Sequence, residues 1–168
     1  MSKSFTVDII RHGEKPDGVI LGISQNGKED ENSLTVRGWQ RAGALVQVYA
    51  DKDIEALFAC FTSKHLDRPT LTITPLSEFL KIAIDCDYEK QEVQKAVDKI
   101  LEAEVRTLVC WEHKNIPVFV KALTGEDFPD WPDGRFDMIV RCKWDGDSWK
   151  VKQIPMLALG GDSEKKFE

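Results

Sequence analysis

Short apolar segments of strand length alternate along this chain with segments of helical periodicity. Residues 5–10, 54–61 and 107–111 are apolar runs that each end abruptly in charged or polar residues. Helical spacing of apolar residues marks the segments between them, at 35–49, 70–80 and 89–103. Strands that alternate with helices predict an α/β domain in which a mainly parallel sheet lies between two helical layers.

Local signals refine this prediction. Thr35 is placed as the N-cap of the first helix, and Pro69 lies in the first turn of the second, which should bury Leu71, Leu76 and Phe79. Leu101 is expected on the buried face of the helix at 89–103. Residues 82–84 are a possible short strand, and residues 117–123 predict a helix that Gly125 would cap.

The last third of the chain predicts an antiparallel hairpin. Residues 136–144 and 149–154 alternate between apolar and polar side chains on either side of an Asp-Gly-Asp-Ser turn. The expected fold class is therefore α/β, a three-layer α/β/α sandwich whose mostly parallel central sheet carries a C-terminal antiparallel edge hairpin. One domain over residues 1–160 is expected, followed by a polar C-terminal tail over residues 161–168.

Composition narrows the class of partner. The 168 residues carry a net charge of −6, with a pI near 5.2, and this counts against binding to nucleic acid or to an anionic membrane. No apolar run approaches the roughly 18 residues of a membrane span, and the N-terminus lacks the apolar core of a signal peptide. The four cysteines are widely spaced, as is typical of reduced structural thiols. We therefore expect a cytoplasmic protein.

All three histidines of the chain fall just after a predicted strand. His12 stands between Arg11 and Gly13, His65 lies three residues before Arg68, and His113 follows the third apolar run. A single histidine at a strand end is more often structural than catalytic, but in an open α/β sheet ligands bind at the carboxyl ends of the strands. Because an arginine cation beside His12 would repel a metal ion, two arginines with two histidines suit a phosphoryl group better.

Four ordered segments resemble one family. Residues 7–14, Val-Asp-Ile-Ile-Arg-His-Gly-Glu, resemble the strand and RHG signature of the histidine phosphatase (phosphoglycerate mutase-like) superfamily. Residues 34–42 are similar to its L-[ST]-x-x-G-x-x-[QR]-A helix, residues 68–72 to its R-x-x-x-T segment, and residues 108–113 to the strand that leads to its second histidine. The resemblance extends over residues 5–123.

The resemblance implies a role for each matching residue. His12 would be the nucleophile that becomes phosphohistidine, Arg11 and Arg68 would bind the phosphoryl oxygens, and His113 would donate a hydrogen bond to the phosphoryl group. It implies a short single-domain phosphatase that needs neither a metal nor another cofactor. Its substrate would be a phosphorylated small molecule or a phosphoprotein.

The sequence departs from the family pattern at two points. Lys64 stands where the family usually has a serine, four residues before the second arginine. No proton donor for the leaving group is evident, and Glu14, Asp87, Glu89 and Glu112 are all candidates. Glu112 qualifies only if the strand has ended before it, because neighbouring strand residues point to opposite faces.

These observations predict a metal-independent phosphatase acting on a phosphomonoester through His12. Two alternatives remain open: a protein phosphohistidine phosphatase of the SixA type, whose imidazole leaving group needs less acid, and a phosphate-binding module without turnover. The presence of His12 favours the enzyme over the binding module. Trp131, between two prolines, either lines the pocket or fills a gap in the core.

Overall fold

The computed structural model describes residues 3–61 and 68–168. Within these ranges it contains six strands, four α-helices and a single 3-10 turn at His113–Asn115. The elements in chain order are β1 (Phe5–Arg11), α1 (Val36–Tyr49), β2 (Ala56–Phe61), α2 (Arg68–Leu80), β3 (Ile84–Glu89), α3 (Val93–Ala103), β4 (Thr107–Trp111), α4 (Ile116–Thr124), β5 (Met138–Trp144) and β6 (Trp149–Pro155).

One mixed sheet organises the domain. Its strand order is β3-β2-β4-β1-β5-β6, the first four strands are parallel, and β5 and β6 are antiparallel. The predicted fold class is confirmed, including the hairpin at the edge. In the pairing of β1 with β4, Arg11 lies opposite Trp111. The residues that follow these two strands therefore emerge side by side.

Helices cover both faces of the sheet, as the alternation of strands and helices predicts. On one face, α1 and α2 pack through residues such as Leu45 and Ile73 against Ile10. On the other face, α3 and α4 pack through Ile100 and Phe119 against sheet residues such as Val109. None of the helices in the described ranges has the length and apolar character needed to cross a bilayer.

Two helix ends follow the predicted signals. The Oγ1 atom of Thr35 accepts the backbone N–H of Gly38 at 3.1 Å and caps α1. Gly125 follows α4 with a φ of 80°, a left-handed conformation that glycine adopts without a steric penalty.

The third strand and the helix after it differ from the prediction. β3 runs to Glu89, so α3 begins at Val93 instead of residue 89. β3 lies at the edge of the sheet, and its side chains are half-buried or exposed on both faces, which leaves no apolar alternation to detect. Two inward assignments were wrong as well: Phe79 is 58% exposed and Leu101 is 39% exposed.

The segment at 161–168 packs against the domain, where the sequence alone predicted a polar tail. The carboxylate of Asp162 pairs with the buried Arg41 at 2.8 Å. Phe167 is buried, and its ring centroid lies 4.9 Å from that of Trp131. The burial of Trp131 supports the core-filling alternative for this side chain. Long-range contacts of this kind leave no local signal in a polar sequence.

Candidate active site

The loop after β1 is tied to the start of α2. The backbone N–H of Gly13 donates to Oγ1 of Thr72 at 2.7 Å, and the hydroxyl of Thr72 donates to the carbonyl oxygen of Arg68, also at 2.7 Å. Because Arg68 is the first residue of α2, these two bonds hold the position of the second arginine relative to the loop that carries His12.

Two glycines let this loop lie directly on α1. A Cβ atom on Gly38 would lie 2.6 Å from the carbonyl oxygen of Glu14, and one on Gly13 would lie 2.9 Å from the carbonyl oxygen of Gly38. No side chain fits at either position without moving backbone. The close approach of two backbones, and not an unusual φ angle, therefore requires glycine here.

Glu14 anchors the loop through a buried arginine. Both carboxylate oxygens of Glu14 accept hydrogen bonds from Arg41, the shortest at 2.7 Å, and Arg37 lies 3.3 Å away. Burial alone would lower the pKa of Arg41, but hydrogen bonds to Asp162 and Glu14 raise it above its ordinary value. The carboxylate of Glu14 is thus tied to α1, and it does not belong to the cavity lining described below.

His12 is buried in its neutral form. Its Nδ1 atom lies 2.7 Å from the carbonyl oxygen of Gly13, so Nδ1 carries the hydrogen and donates it. Burial lowers the pKa of His12 to about 3, and the positive charges of Arg11 and Arg68 act in the same direction against the Gly13 hydrogen bond. With Nδ1 protonated, Nε2 holds the lone pair and is the nitrogen able to attack an electrophile.

Arg11 is fully buried beside His12. Its Nη1 atom donates to the carbonyl oxygens of Asp133 at 2.6 Å and Arg135 at 2.9 Å, and its guanidinium lies 3.9 Å from the ring centroid of Phe136. Its Nε and Nη2 atoms are buried without a hydrogen-bond partner in the described part of the chain. Burial lowers the pKa of Arg11 to about 10, which leaves it charged at neutral pH. Two unpartnered N–H groups on a buried cation are costly unless an anion accepts them.

His113 lies between two carboxylates. Its Nε2 atom is 2.7 Å from Oδ1 of Asp133. Its buried Nδ1 atom is 3.2 Å from Oε1 of Glu112, close enough for an ion pair but without hydrogen-bond geometry. Burial lowers the pKa of His113, and the hydrogen bond to Asp133 opposes this effect.

A cavity of about 210 Å³ brings these groups together at the carboxyl ends of the strands. Its lining residues come from four segments, which follow β1, begin α2, follow β3 and follow β4, namely His12, Lys15, Arg68, Pro69, Lys90, Glu112 and His113. Arg68 reaches it while its Nε and Nη2 atoms donate to the carbonyl oxygens of Ser33 at 3.1 Å and Glu31 at 2.7 Å. Larger cavities elsewhere, on the β5–β6 hairpin and beside Phe128, have no histidine in their lining.

Three of the four predicted site residues line this cavity. These are His12, Arg68 and His113, while Arg11 adjoins them through the loop of Asp133. Lys64, which departs from the family pattern, and His65, the remaining histidine, lie outside the described residues.

Among the four candidate proton donors, only Glu112 belongs to the lining of this cavity within the described chain. β4 has ended at Trp111, so Glu112 is outside the strand and meets the condition set from the sequence. Sequence reasoning missed Lys15, Lys90 and Asp133. The position of Lys90 depends on the true end of β3, and Asp133 lies in a loop without periodicity.

Sequence comparison alone gives no match: no family model and no curated protein matches this chain. Solved structures do match. A mutant of the Entamoeba histolytica phosphoserine phosphatase, in complex with phosphoserine, has a TM-score of 0.62 at 14% identity, covering 92% of this chain and 99% of that one. The mycobacterial glucosyl-3-phosphoglycerate phosphatase has a TM-score of 0.60 at 13% identity, with coverages of 89% and 97%.

A candidate alpha-ribazole-5′-P phosphatase of Escherichia coli has a TM-score of 0.63 at 13% identity, with coverages of 94% and 99%. The chain has the histidine phosphatase fold. Of the four resembling segments, residues 7–14 and 108–113 contain the ends of β1 and β4, and residues 34–42 and 68–72 contain the first turns of α1 and α2.

Proposed function

We propose that this chain is a phosphatase that hydrolyses a phosphate monoester through a phosphohistidine intermediate on His12. The observation that carries the proposal is the neutral, buried imidazole of His12, whose Nδ1 hydrogen is bound by Gly13 and whose ring lines a cavity shared with Arg68 and His113. A nucleophile held in one tautomer beside preorganised cations suits phosphoryl transfer.

In the first step, Nε2 of His12 attacks phosphorus. The P–N bond forms as the ester P–O bond breaks, and the bonding electron pair leaves with the alcohol oxygen. Arg11 offers two unpartnered N–H groups and Arg68 a second guanidinium, so their two positive charges balance the two negative charges of the phosphoryl group. His113 donates a further hydrogen bond to a phosphoryl oxygen.

Glu112 serves as the proton donor in this scheme. Asn115 donates its Nδ2 hydrogen to Oε2 of Glu112 at 2.8 Å and so orients the carboxyl group in the lining of the cavity. The carboxyl proton passes to the leaving oxygen. In the second step the carboxylate takes a proton from water, the water oxygen attacks phosphorus, and the P–N electron pair returns to Nε2 of His12. Inorganic phosphate is released, and both side chains regain their starting states.

The position of Glu112 favours an ester over a phosphohistidine protein as substrate. An alkoxide needs a proton as it leaves, whereas an imidazole leaves more readily without one. The structural neighbours are also named for phosphate esters of small molecules, such as phosphoserine. A phosphate-binding module without turnover would need neither a neutral His12 nor a carboxyl group in the cavity.

The test is hydrolysis of p-nitrophenyl phosphate between pH 5 and 8 without added metal, comparing the wild type with His12→Ala. We expect turnover in the wild type, loss of turnover to background in the variant, and an acid-labile phosphoryl group on His12 in a quenched reaction analysed by mass spectrometry. Metal-dependent turnover that survives His12→Ala would refute the proposal.

A second comparison tests Glu112. p-Nitrophenolate leaves without protonation, so Glu112→Gln should lower kcat/KM for an alkyl phosphate by about 10²–10⁴ while changing the p-nitrophenyl rate far less. Glu89→Gln, at the end of β3, is the matched control. Equal losses on both substrates would remove Glu112 from the proton-donor role.

A further inference from the structure

The cavity has more positive charge than a phosphoryl group requires. Besides Arg68, two lysines line it: Lys15, three residues after His12, and Lys90, just after β3. Neither lysine is needed for the mechanism above. In a chain with a net charge of −6, two further cations at one small cavity call for a specific anion.

Both lysines extend from fixed backbone. The N–H of Lys90 donates to the carbonyl oxygen of Phe61 at 3.1 Å, and the indole of Trp111 donates to the carbonyl oxygen of Lys90 at 2.8 Å. Lys15 follows Glu14, whose carbonyl oxygen accepts the N–H of Thr35 at 2.9 Å. Anchored backbone on two sides of the cavity limits where the two ammonium groups can reach.

No acidic side chain neutralises them in the described part of the chain. Five other lysines pair with a carboxylate there, namely Lys52, Lys95, Lys99, Lys121 and Lys150. Lys15 and Lys90 make no such ion pair with a described residue, and they differ from other unpaired lysines of the described chain, such as Lys28 and Lys81, because they line the cavity. Glu112 shares the cavity, but its two oxygens already contact Asn115 and His113.

Comparing the positive charges at the cavity with those that a phosphoryl group needs shows which cations remain unmatched. A phosphoryl dianion is matched by Arg11 and Arg68, and His113, with its lowered pKa, adds little charge at neutral pH. Two ammonium groups are then left for another part of the substrate. The cavity, at about 210 Å³, is smaller than the 300–1,000 Å³ of pockets for drug-sized ligands, so that part lies close to the ester.

On the basis of the proposed phosphatase function, we infer that the substrate is a small phosphate ester with a second anionic group, a carboxylate or another phosphate, which Lys15 and Lys90 bind. The two lysines are specificity-determining residues. They act on substrate binding and leave the chemistry of His12 unchanged.

The test compares 3-phosphoglycerate with glycerol 3-phosphate, two esters of similar size of which the first carries a carboxylate. The wild type should prefer 3-phosphoglycerate. Lys15→Met and Lys90→Met should each lower that preference about fivefold, mainly through KM, and together they should abolish it. Lys28→Met removes the same charge from an exposed site outside the lining and should leave the preference unchanged. On p-nitrophenyl phosphate, which has no second anionic group, Lys15→Met and Lys90→Met should lose less activity than on 3-phosphoglycerate, and Lys28→Met should keep the wild-type rate.

Three results would overturn the inference. They are equal wild-type rates on the two esters, equal losses on all substrates in the lysine variants, and a phosphoserine peptide with flanking glutamates preferred to 3-phosphoglycerate. Failure of the phosphatase proposal gives a different pattern, because p-nitrophenyl phosphate would then not be hydrolysed. In that case, calorimetric titration of His12→Ala with the two esters still tests the lysines: tighter binding of 3-phosphoglycerate supports the second-anion site, and equal binding refutes it.

Discussion

Substitution of one glycine in α1 should lower both stability and activity, whereas substitution of another should lower neither. Gly38 and Gly43 lie in the same helix. A Cβ on Gly38 would meet the carbonyl oxygen of Glu14 at 2.6 Å, the N atom of Glu14 at 3.0 Å and the Cβ of Leu34 at 3.0 Å, while a Cβ on Gly43 would meet nothing within 4 Å. The pair therefore separates the effect of the close contact with the loop that carries His12 from the general effect of alanine in a helix.

The magnitudes follow from this geometry. Alanine gains about 1 kcal/mol over glycine inside a helix, and Gly43→Ala should show that gain. At Gly38 the same gain is opposed by overpacking, for which we take about 3 kcal/mol because the contact is with backbone and not with a flexible side chain. The net loss is about 2 kcal/mol. At this chain length the expected change in Tm is a fall of about 4–8 °C for Gly38→Ala and a rise of about 2–4 °C for Gly43→Ala.

The same clash should reach the active site. To relieve it, the loop that carries His12 and Gly13 must move away from α1, and misplacement of a catalytic group by about 1 Å costs roughly 10²-fold in rate. We therefore expect kcat/KM for p-nitrophenyl phosphate to fall about 10²-fold in Gly38→Ala and to stay unchanged in Gly43→Ala. Thermal denaturation and initial rates measure both effects. A Gly38→Ala protein as stable and active as Gly43→Ala would refute this account of the loop.

Three further predictions concern charged and titratable groups at the site and beside it. Arg41→Gln removes the buried cation between Glu14 and Asp162 and leaves these carboxylates only the exposed Arg37, so it should lower the free energy of unfolding in urea by about 3–5 kcal/mol. Arg37→Gln should cost less than about 1 kcal/mol, and equal losses would contradict the proposed network. Because burial lowers the pKa of His12 to about 3, the imidazole should stay neutral down to pH 4. After correction for ionisation of the substrate, kcat/KM should therefore not fall between pH 6.5 and 4. A tenfold loss per pH unit below 6.5 would show that His12 has the pKa of an ordinary imidazole. Asp133→Asn removes a carboxylate that competes with a bound oxyanion for His113. Vanadate should therefore inhibit this variant about fivefold more strongly than the control Asp130→Asn. Equal inhibition of the two variants would show that the Asp133 carboxylate lies away from the bound anion.

The sequence was most informative where strands are buried on both faces. β1 and β4 are buried along almost their whole length and are mostly apolar, so their ends are visible in the sequence, and parallel pairing then forces the residues after them together. For this reason the proximity of His12 and His113 could be expected from the sequence. The sequence showed Gly38 only as the glycine of the motif at residues 34–42 and gave no physical reason for it. The reason for it is a backbone contact with Glu14, a residue far from it along the chain, and such a contact has no local sequence signal.

Elements stabilised by long-range contacts could not be predicted in this way. β3 is a partly exposed edge strand, so its sequence has no apolar alternation, and its C-terminal end, which places Lys90, was misassigned. Phe167 is buried by contacts with Trp131 and with Gln153, which accepts its N–H and donates to its carbonyl oxygen. A polar segment held by such contacts has the same composition as a free tail, so composition cannot distinguish the two.

The proposed role of Glu112 as proton donor depends on where a single strand ends. Within a strand, Glu112 and His113 would point to opposite faces, and only one of them could reach the cavity. The chain turns at this point because Pro117 has no N–H to give to a sheet and favours the first turn of a helix, so α4 begins at Ile116. The N–H of Asn115 donates to the carbonyl oxygen of Glu112 at 3.0 Å and closes the turn before the helix. Glu112 and His113, although adjacent in sequence, thus both line one cavity. Pro117, five residues after Glu112, is the feature of the sequence that explains why the strand ends before them.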